Sequence, residues 1–224
     1  MSNHDHRLRP SAVRAEWGVP MPLLHRSIAD LHEKELVQRV LTDPANRSTM
    51  FNIEGMATPE SRILREVDLR PLGARGDIDV LVIPPAGAKQ ATAVQVKRFK
   101  VGLDAIRTGQ PNGLKEFTKG VRQANLLARL GFGHVYLWVF VVIDTREQNA
   151  GRLTYDGADA AMRSKIDNAV FTGKLDPRIG VMKFEWTQPM DRAPLTFGTS
   201  GASLHRLAIQ APQSGDVTAW LNKF

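Results

Sequence analysis

Nine residues from Val135 to Ile143 (Val-Tyr-Leu-Trp-Val-Phe-Val-Val-Ile) contain no charge, no glycine and no proline. The run is rich in β-branched and aromatic side chains and far short of the roughly 20 residues a membrane helix needs. A strand that is apolar on both sides of its pleat has to be covered on both faces. Sheets covered on both faces are characteristically built with parallel strands joined by helices. The chain is therefore read as α/β, with Val135–Ile143 central in a layered sheet. Leu114–Leu130 before it reads as a helix, and Gly131 stands where a helix C-terminus favours glycine.

The preceding segments follow the same two periods. Ile28–Leu41 is expected as a helix with Leu36, Val37, Val40 and Leu41 as its apolar stripe, closed by Asp43-Pro44. Met50–Ile53 is a candidate short strand. Ile63–Arg70 alternates, with Ile63, Val67 and Leu69 on one side and Glu66 and Asp68 on the other. A turn follows over Pro71–Gly76. Asp77–Ile83 is a strand with Ile78, Val80 and Val82 on one face, and Thr92–Phe99 is a strand with Val94 and Val96 on one face. Pro84–Gln90 is a loop able to join two antiparallel strands. Later, Ala158–Val170 reads as a helix, Gly180–Trp186 and Leu204–Gln210 as strands, and Gln188–Ser203 as a long loop. The expected organisation is an arm over residues 1–25, a core over 26–145 and a C-terminal extension over 146–224 packed on that core.

Composition narrows the chemistry. The absence of cysteine excludes disulfides, thiolate metal sites and cysteine nucleophiles, and fits a cytoplasmic protein. The N-terminal residues lack the apolar stretch of a secretory signal, and no apolar run suits a membrane span. Thirty Lys and Arg against 23 Asp and Glu give a net charge of +7 and a pI near 10.0. A basic domain of this kind suits a polyanionic partner, although charge alone equally describes a soluble basic protein. No glycine-rich phosphate loop of the G-x-x-x-x-G-K-[ST] type is present. The six histidines are scattered without metal-ligand spacing. Trp138 is expected in the core; for Trp17 and Trp186, packing is the expectation and base stacking the alternative.

The strand period decides which polar groups meet. Asp77 and Asp79 lie opposite the Ile78/Val80/Val82 face, and Gln95 and Lys97 lie opposite Val94 and Val96. Two such strands paired as a hairpin collect a carboxylate, an amide and an ammonium on one sheet surface. Polar groups near a core need partners, and a divalent cation is one such partner. Oxygen ligands of this kind suit magnesium, which neutralises charge on a phosphodiester and acidifies water, while a lysine can orient the attacking water.

The stretches Gly76-Asp-Ile-Asp79-Val-Leu and Ala93-Val-Gln95-Val-Lys97-Arg98, in this element order, resemble the PD-(D/E)XK nuclease superfamily over roughly residues 30–144. The resemblance implies an α/β, restriction-endonuclease-like core of helix, three strands, helix and strand around a mixed sheet, with additional C-terminal elements. It implies that Asp79 and Gln95 hold Mg2+ (or Mn2+), that Lys97 is the catalytic lysine, and that an acid on the first helix falls on Glu33 or Glu35. Glu33 is preferred because it aligns with Leu36, Val37 and Val40, and Glu66 is a further candidate acid. Gln95 departs from the usual acidic residue in the manner of Mrr-like restriction enzymes, and a neutral amide brings one charge fewer to the metal. The implied activity is metal-dependent cleavage of DNA, in restriction, phage defence or repair. A catalytically silent nucleic-acid-binding module and a subunit of a larger complex are the alternatives, and a homodimer would be needed to cut both strands of a duplex with one site per chain.

The helix after the third strand adds a basic face. Lys115, Lys119 and Arg122 fall at i, i+4 and i+7, with Arg129 seven further on and Gln123 beside them. Together with Arg98 they are the candidate nucleic-acid contacts. The alternative for Lys115 and Arg129 is a merely solvated helix face. Asp77 is either a second acid or a turn residue.

Overall fold

The computed structural model describes residues 26–52, 56–58, 60–102, 105, 114–144, 146, 160–171, 174–188 and 201–224. Within them six strands form one sheet in the order β1 (Arg62–Asp68), β2 (Asp77–Ile83), β3 (Thr92–Val101), β4 (His134–Asp144), β5 (Gly180–Gln188) and β6 (Gly201–Arg206). The pairs β1/β2, β2/β3 and β5/β6 are antiparallel, and β3/β4 and β4/β5 are parallel. The helices are α1 (Glu33–Thr42), α2 (Pro44–Asn52), α3 (Leu114–Leu130), α4 (Ala160–Phe171) and α5 (Gly215–Leu221). This is a mixed α/β sheet, and the expected order of helix, three strands, helix and strand is interrupted by one unexpected helix, α2, ahead of the strands.

The apolar run that dominates the sequence sits where burial on both faces demands. Val135, Leu137, Val139, Val141 and Ile143 enter one cluster with Phe117, Val121, Ala124 and Leu127 of α3 and with Val217, Trp220 and Leu221 of α5. Tyr136, Trp138, Phe140 and Val142 enter the other, with Leu36, Val37, Val40 and Leu41 of α1 and with Met50 and Phe51 of α2. Trp138 and Trp186 are both buried in that second cluster, so Trp186 packs and does not offer its face to a base. Trp17 lies outside the described residues.

Several expectations need correction. Ile28–Leu41 is not one helix: a 3-10 turn spans Ile28–Asp30, and α1 starts afresh at Glu33 after an extended Leu31-His32 step. Asp43-Pro44 does close α1, which ends at Thr42 with Asp43 extended, but Pro44 also opens α2, because proline fits a first helical turn whose N–H groups lack partners anyway. Met50–Asn52 is therefore helical and not a strand, while Ile53 lies outside the described residues. The last strand is Gly201–Arg206, earlier than Leu204–Gln210, so part of the expected loop is strand and the remainder (189–200) is outside the described residues. Helix α5 was not foreseen, although Ser214 caps it by accepting from Val217 N at 3.2 Å. The segment 146–224 supplies β5 and β6 to the same sheet.

The strand alternation is also broken at one register position. Leu64 and Val67 pack into the same cluster three residues apart, while Ile63 enters the opposite one. On β2, Ile78 enters the α3-side cluster but Val80 and Val82 the α1-side cluster. Neither Ile63/Val67/Leu69 nor Ile78/Val80/Val82 thus shares one face. The two slips coincide. Arg65 pairs with Val80 and Val67 with Ile78, so Glu66 faces Asp79, and Glu66 has φ of 51°, a left-handed conformation rare for a residue with a Cβ. A conformation of this kind costs on the order of 1 kcal/mol and characteristically gathers at functional sites.

Candidate metal and catalytic site

Strands β2 and β3 pair only through Val80/Val94, Leu81/Ala93 and Val82/Thr92. Beyond that point they separate, and the N–H groups on this edge of β3 at Val96 and Arg98 lose strand partners. Side-chain carboxylates take them. Asp79 Oδ2 accepts from Val96 N at 2.6 Å, and Glu33 Oε2 accepts from Arg98 N at 2.9 Å. Strand N–H groups lie in the sheet plane, so both carboxylates occupy the opening between the strands. Unsatisfied amides there would each cost about 1–3 kcal/mol.

The opening brings the predicted residues together. Gln95 Nε2 donates to Asp79 Oδ2, and Lys97 Nζ donates to Glu33 Oε1 at 2.8 Å. Asp79, Gln95 and Lys97 are 5%, 1% and 6% exposed. Gln95 Oε1 is buried without a hydrogen-bond partner. Glu33 reaches the site because it is the first residue of α1, while Glu35 turns back to accept from His32 N at 2.8 Å and to pair with Arg26 at 2.6 Å. The structure therefore separates the two candidate acids of the first helix.

Asp77 and Glu66 complete an acidic group with Asp79. One carboxylate oxygen from each lies within 4.8 Å of the others. Asp77 is the first residue of β2 and not a turn residue. Lys34 Nζ bonds Glu66 and stands 3.3 Å from Asp77 Oδ2. A cleft opens outward from this group, lined by Glu66, Asp68, Arg70, Arg75, Gly76 and Asp77. Lys34 escaped the sequence reading because a lysine between two helix acids looks like any solvated charge; its partners lie 32 and 43 residues away.

Burial raises the Asp79 carboxyl to about 7, opposed by the Val96 N–H and the Lys97 charge and reinforced by Glu33 and Glu66. Burial likewise raises Glu66, with the Lys34 bond opposing and Asp77 reinforcing. The bond to Glu66, then that to Asp77, raises Lys34. The chain thus crowds three carboxyls against too little positive charge. A hard divalent cation fits this donor set: oxygens from Asp79, Glu66 and Asp77, with the Gln95 amide, whose oxygen is orphaned, bonded to Asp79 through its nitrogen. Its binding would require the Lys34 ammonium to withdraw.

The predicted nucleic-acid contacts divide. Lys119, Arg122 and Arg129 are exposed on α3. Gln123 is half-buried and its Oε1 has no partner, while the Lys115 side chain lies outside the described residues. Arg98 is turned inward, its guanidinium donating to Ala29 O at 2.7 Å. His134 bonds Thr92 and His205 bonds Ser203, both away from the opening; His4, His6 and His25 lie outside the described residues.

No family model and no curated protein sequence matches the chain. Among solved structures it is similar to SPO1766 of Silicibacter pomeroyi, a protein of unknown function, at 14% identity over 73% of this chain and 70% of that one, with a TM-score of 0.29. It is also similar to SfsA of Pyrococcus furiosus in complex with Ca2+, at 9% identity over 78% of this chain and 60% of that one, with a TM-score of 0.24. Likeness at this level leaves the chemistry to the chain's own residues.

Proposed function

We propose that the chain is a Mg2+-dependent (or Mn2+-dependent) nuclease that hydrolyses phosphodiester bonds in DNA, with a core of the restriction-endonuclease type. The observation that carries this reading is the meeting of the Asp79 carboxylate with the Gln95 amide, whose oxygen is orphaned, beside the Lys97–Glu33 pair in the opening between β2 and β3. A divalent ion held by Asp79, Glu66, Asp77 and Gln95 would neutralise charge on the scissile phosphate and acidify water. Lys97, bonded to Glu33, would orient the attacking water and offset charge developing on phosphate oxygens. Arg70 and Arg75 at the cleft rim and Lys119 and Arg122 on α3 are suited to contact the nucleic-acid backbone. Among the described residues no helix is long and apolar enough to cross a membrane.

A second reading is a nuclease-type module that binds nucleic acid without cutting. The neutral Gln95 and the Lys34 ammonium lodged against Glu66 and Asp77 favour it. Incubating the protein with supercoiled and linear DNA in magnesium, manganese or chelator separates the two. Metal-dependent nicking or cutting, lost in Lys97→Ala, supports the nuclease. Salt-sensitive DNA binding without cleavage in either metal refutes it in favour of the binding module.

A further inference from the structure

Helix α3 carries Gly120 in its interior, where glycine is less favourable than alanine. Its companions on the sheet-facing stripe, Phe117, Val121, Ala124 and Leu127, are buried and apolar. Gly120 breaks that stripe of side chains for a reason visible across the layer. A Cβ at this position would stand 2.2 Å from Cγ of Lys97, 2.8 Å from Cδ and 3.0 Å from Cε. The lysine stem therefore lies against bare helix backbone. It is held at both ends: its backbone belongs to β3 in the interior of the sheet, and its ammonium bonds Glu33 at 2.8 Å. The stem cannot step aside for a methyl group and keep that bond.

We propose that Gly120 is a positioning residue for Lys97: the missing side chain on α3 is the channel through which Lys97 reaches Glu33. The catalytic consequence rests on the nuclease reading, but the contact itself does not. The three atoms nearest an added Cβ here all belong to Lys97.

A stability cycle in chelator tests it, using the parent, Gly120→Ala, Lys97→Ala and the double variant. Alanine should lower the melting temperature in the parent, where it strikes Lys97. It should raise it in the Lys97→Ala background, where the helix gains a better former and the space is free. A single variant that fails to fold while the double variant folds is the same reversal at its extreme. An equal shift of the same sign in both backgrounds overturns the proposal. In protein carrying labelled lysine side chains, the resonance absent from Lys97→Ala identifies Lys97, and Gly120→Ala should move it; an unmoved resonance also overturns the proposal. With DNA and magnesium, Gly120→Ala should lower kcat by about a hundredfold with KM within about twofold, as expected when one group is displaced by about an ångström. A parent that never cleaves refutes the nuclease reading while the reversal still upholds the contact. A cleaving parent without the reversal refutes the positioning role and leaves the nuclease standing.

Discussion

Replacing Asp79 by asparagine should make the metal-free protein more stable while removing its activity. Asp79 is 5% exposed, and burial raises its carboxyl from 3.8 to about 7. A folded-state value above the unfolded one means that the native state holds the proton more tightly. Stability is then greatest below about pH 4, falls as pH rises towards 7, and is level above it. The full displacement corresponds to roughly 4 kcal/mol at pH 8. Asparagine keeps the shape and an oxygen for the Val96 N–H, whose preference for the charged carboxylate is already contained in that value. The gain is therefore up to roughly 4 kcal/mol at pH 8, or about 8–16 °C in melting temperature for a chain of this size. Urea unfolding of parent and Asp79→Asn in chelator between pH 4 and 8 measures it. The difference should grow with pH and level off near 7. Added magnesium should stabilise the parent and leave the variant unchanged. A variant no more stable than the parent at pH 8, or a difference independent of pH, would refute the reasoning.

Three further outcomes are expected. Lys97→Ala should abolish cleavage and destabilise the protein by about 1–3 kcal/mol, since it strips Glu33 of a partner whose side chain is only 8% exposed; full activity would exclude Lys97 from the site. Gln95→Glu should preserve or raise magnesium affinity and cleavage yet weaken the metal-free fold at pH 8 by setting a second carboxylate against Asp79, whereas Gln95→Ala should lose most activity; metal titration followed by melting curves and cleavage rates reads both. Lys34→Ala should tighten manganese binding about two- to fivefold in calorimetric titration, a modest effect because the Lys34 side chain is 67% exposed and its pairs are screened; weaker binding would show that Lys34 does not compete for these carboxylates.

The periodic parts of the fold were legible because one rule governed each of them. Leu114–Leu130 and Asp77–Ile83 lie within the bounds that the 3.6- and 2-residue periods assign, and Val135–Ile143 lies within β4. Failures came where a local rule was overridden. Asp43-Pro44 ends α1 as the sequence implies, yet the same proline also opens α2, and the capping signal of Ser214 precedes a helix of seven residues, too short for its period to show. The alternation of β1 and β2 misled because a strict period cannot represent the left-handed step at Glu66, which follows from register against Asp79. In the site, strand phase was enough to associate Asp79, Gln95 and Lys97, and helix phase to prefer Glu33. Lys34 and Gly120 were invisible because their partners are remote in sequence, and neither residue type advertises a site.

The position of the phase slip links the site to the sheet. A regular β2 would continue its ladder along β3 and cover the Val96 and Arg98 amides with backbone carbonyls. The left-handed step at Glu66 and the reversal of facing between Ile78 and Val80 occur at the first register beyond the last ladder pair, Val80/Val94. Backbone pairing is thereby exchanged for two carboxylates, Asp79 and Glu33, each of which closes one β3 amide; Asp79 does so with Oδ2, and Glu33 spends its other oxygen on Lys97. These acids therefore have a structural duty that exists without any metal or substrate. Truncating either to alanine removes the amide's acceptor along with the charge, so lost activity in such a variant would have two indistinguishable causes. Asparagine at 79 keeps the acceptor and removes the charge, while glutamine at 33 keeps one acceptor, enough for the Arg98 amide, and gives up the charge and the bond to Lys97. If the carboxylates serve the sheet alone, both variants should fold and bind metal and nucleic acid as the parent does. If their charge serves chemistry, the variants should fold and be inert.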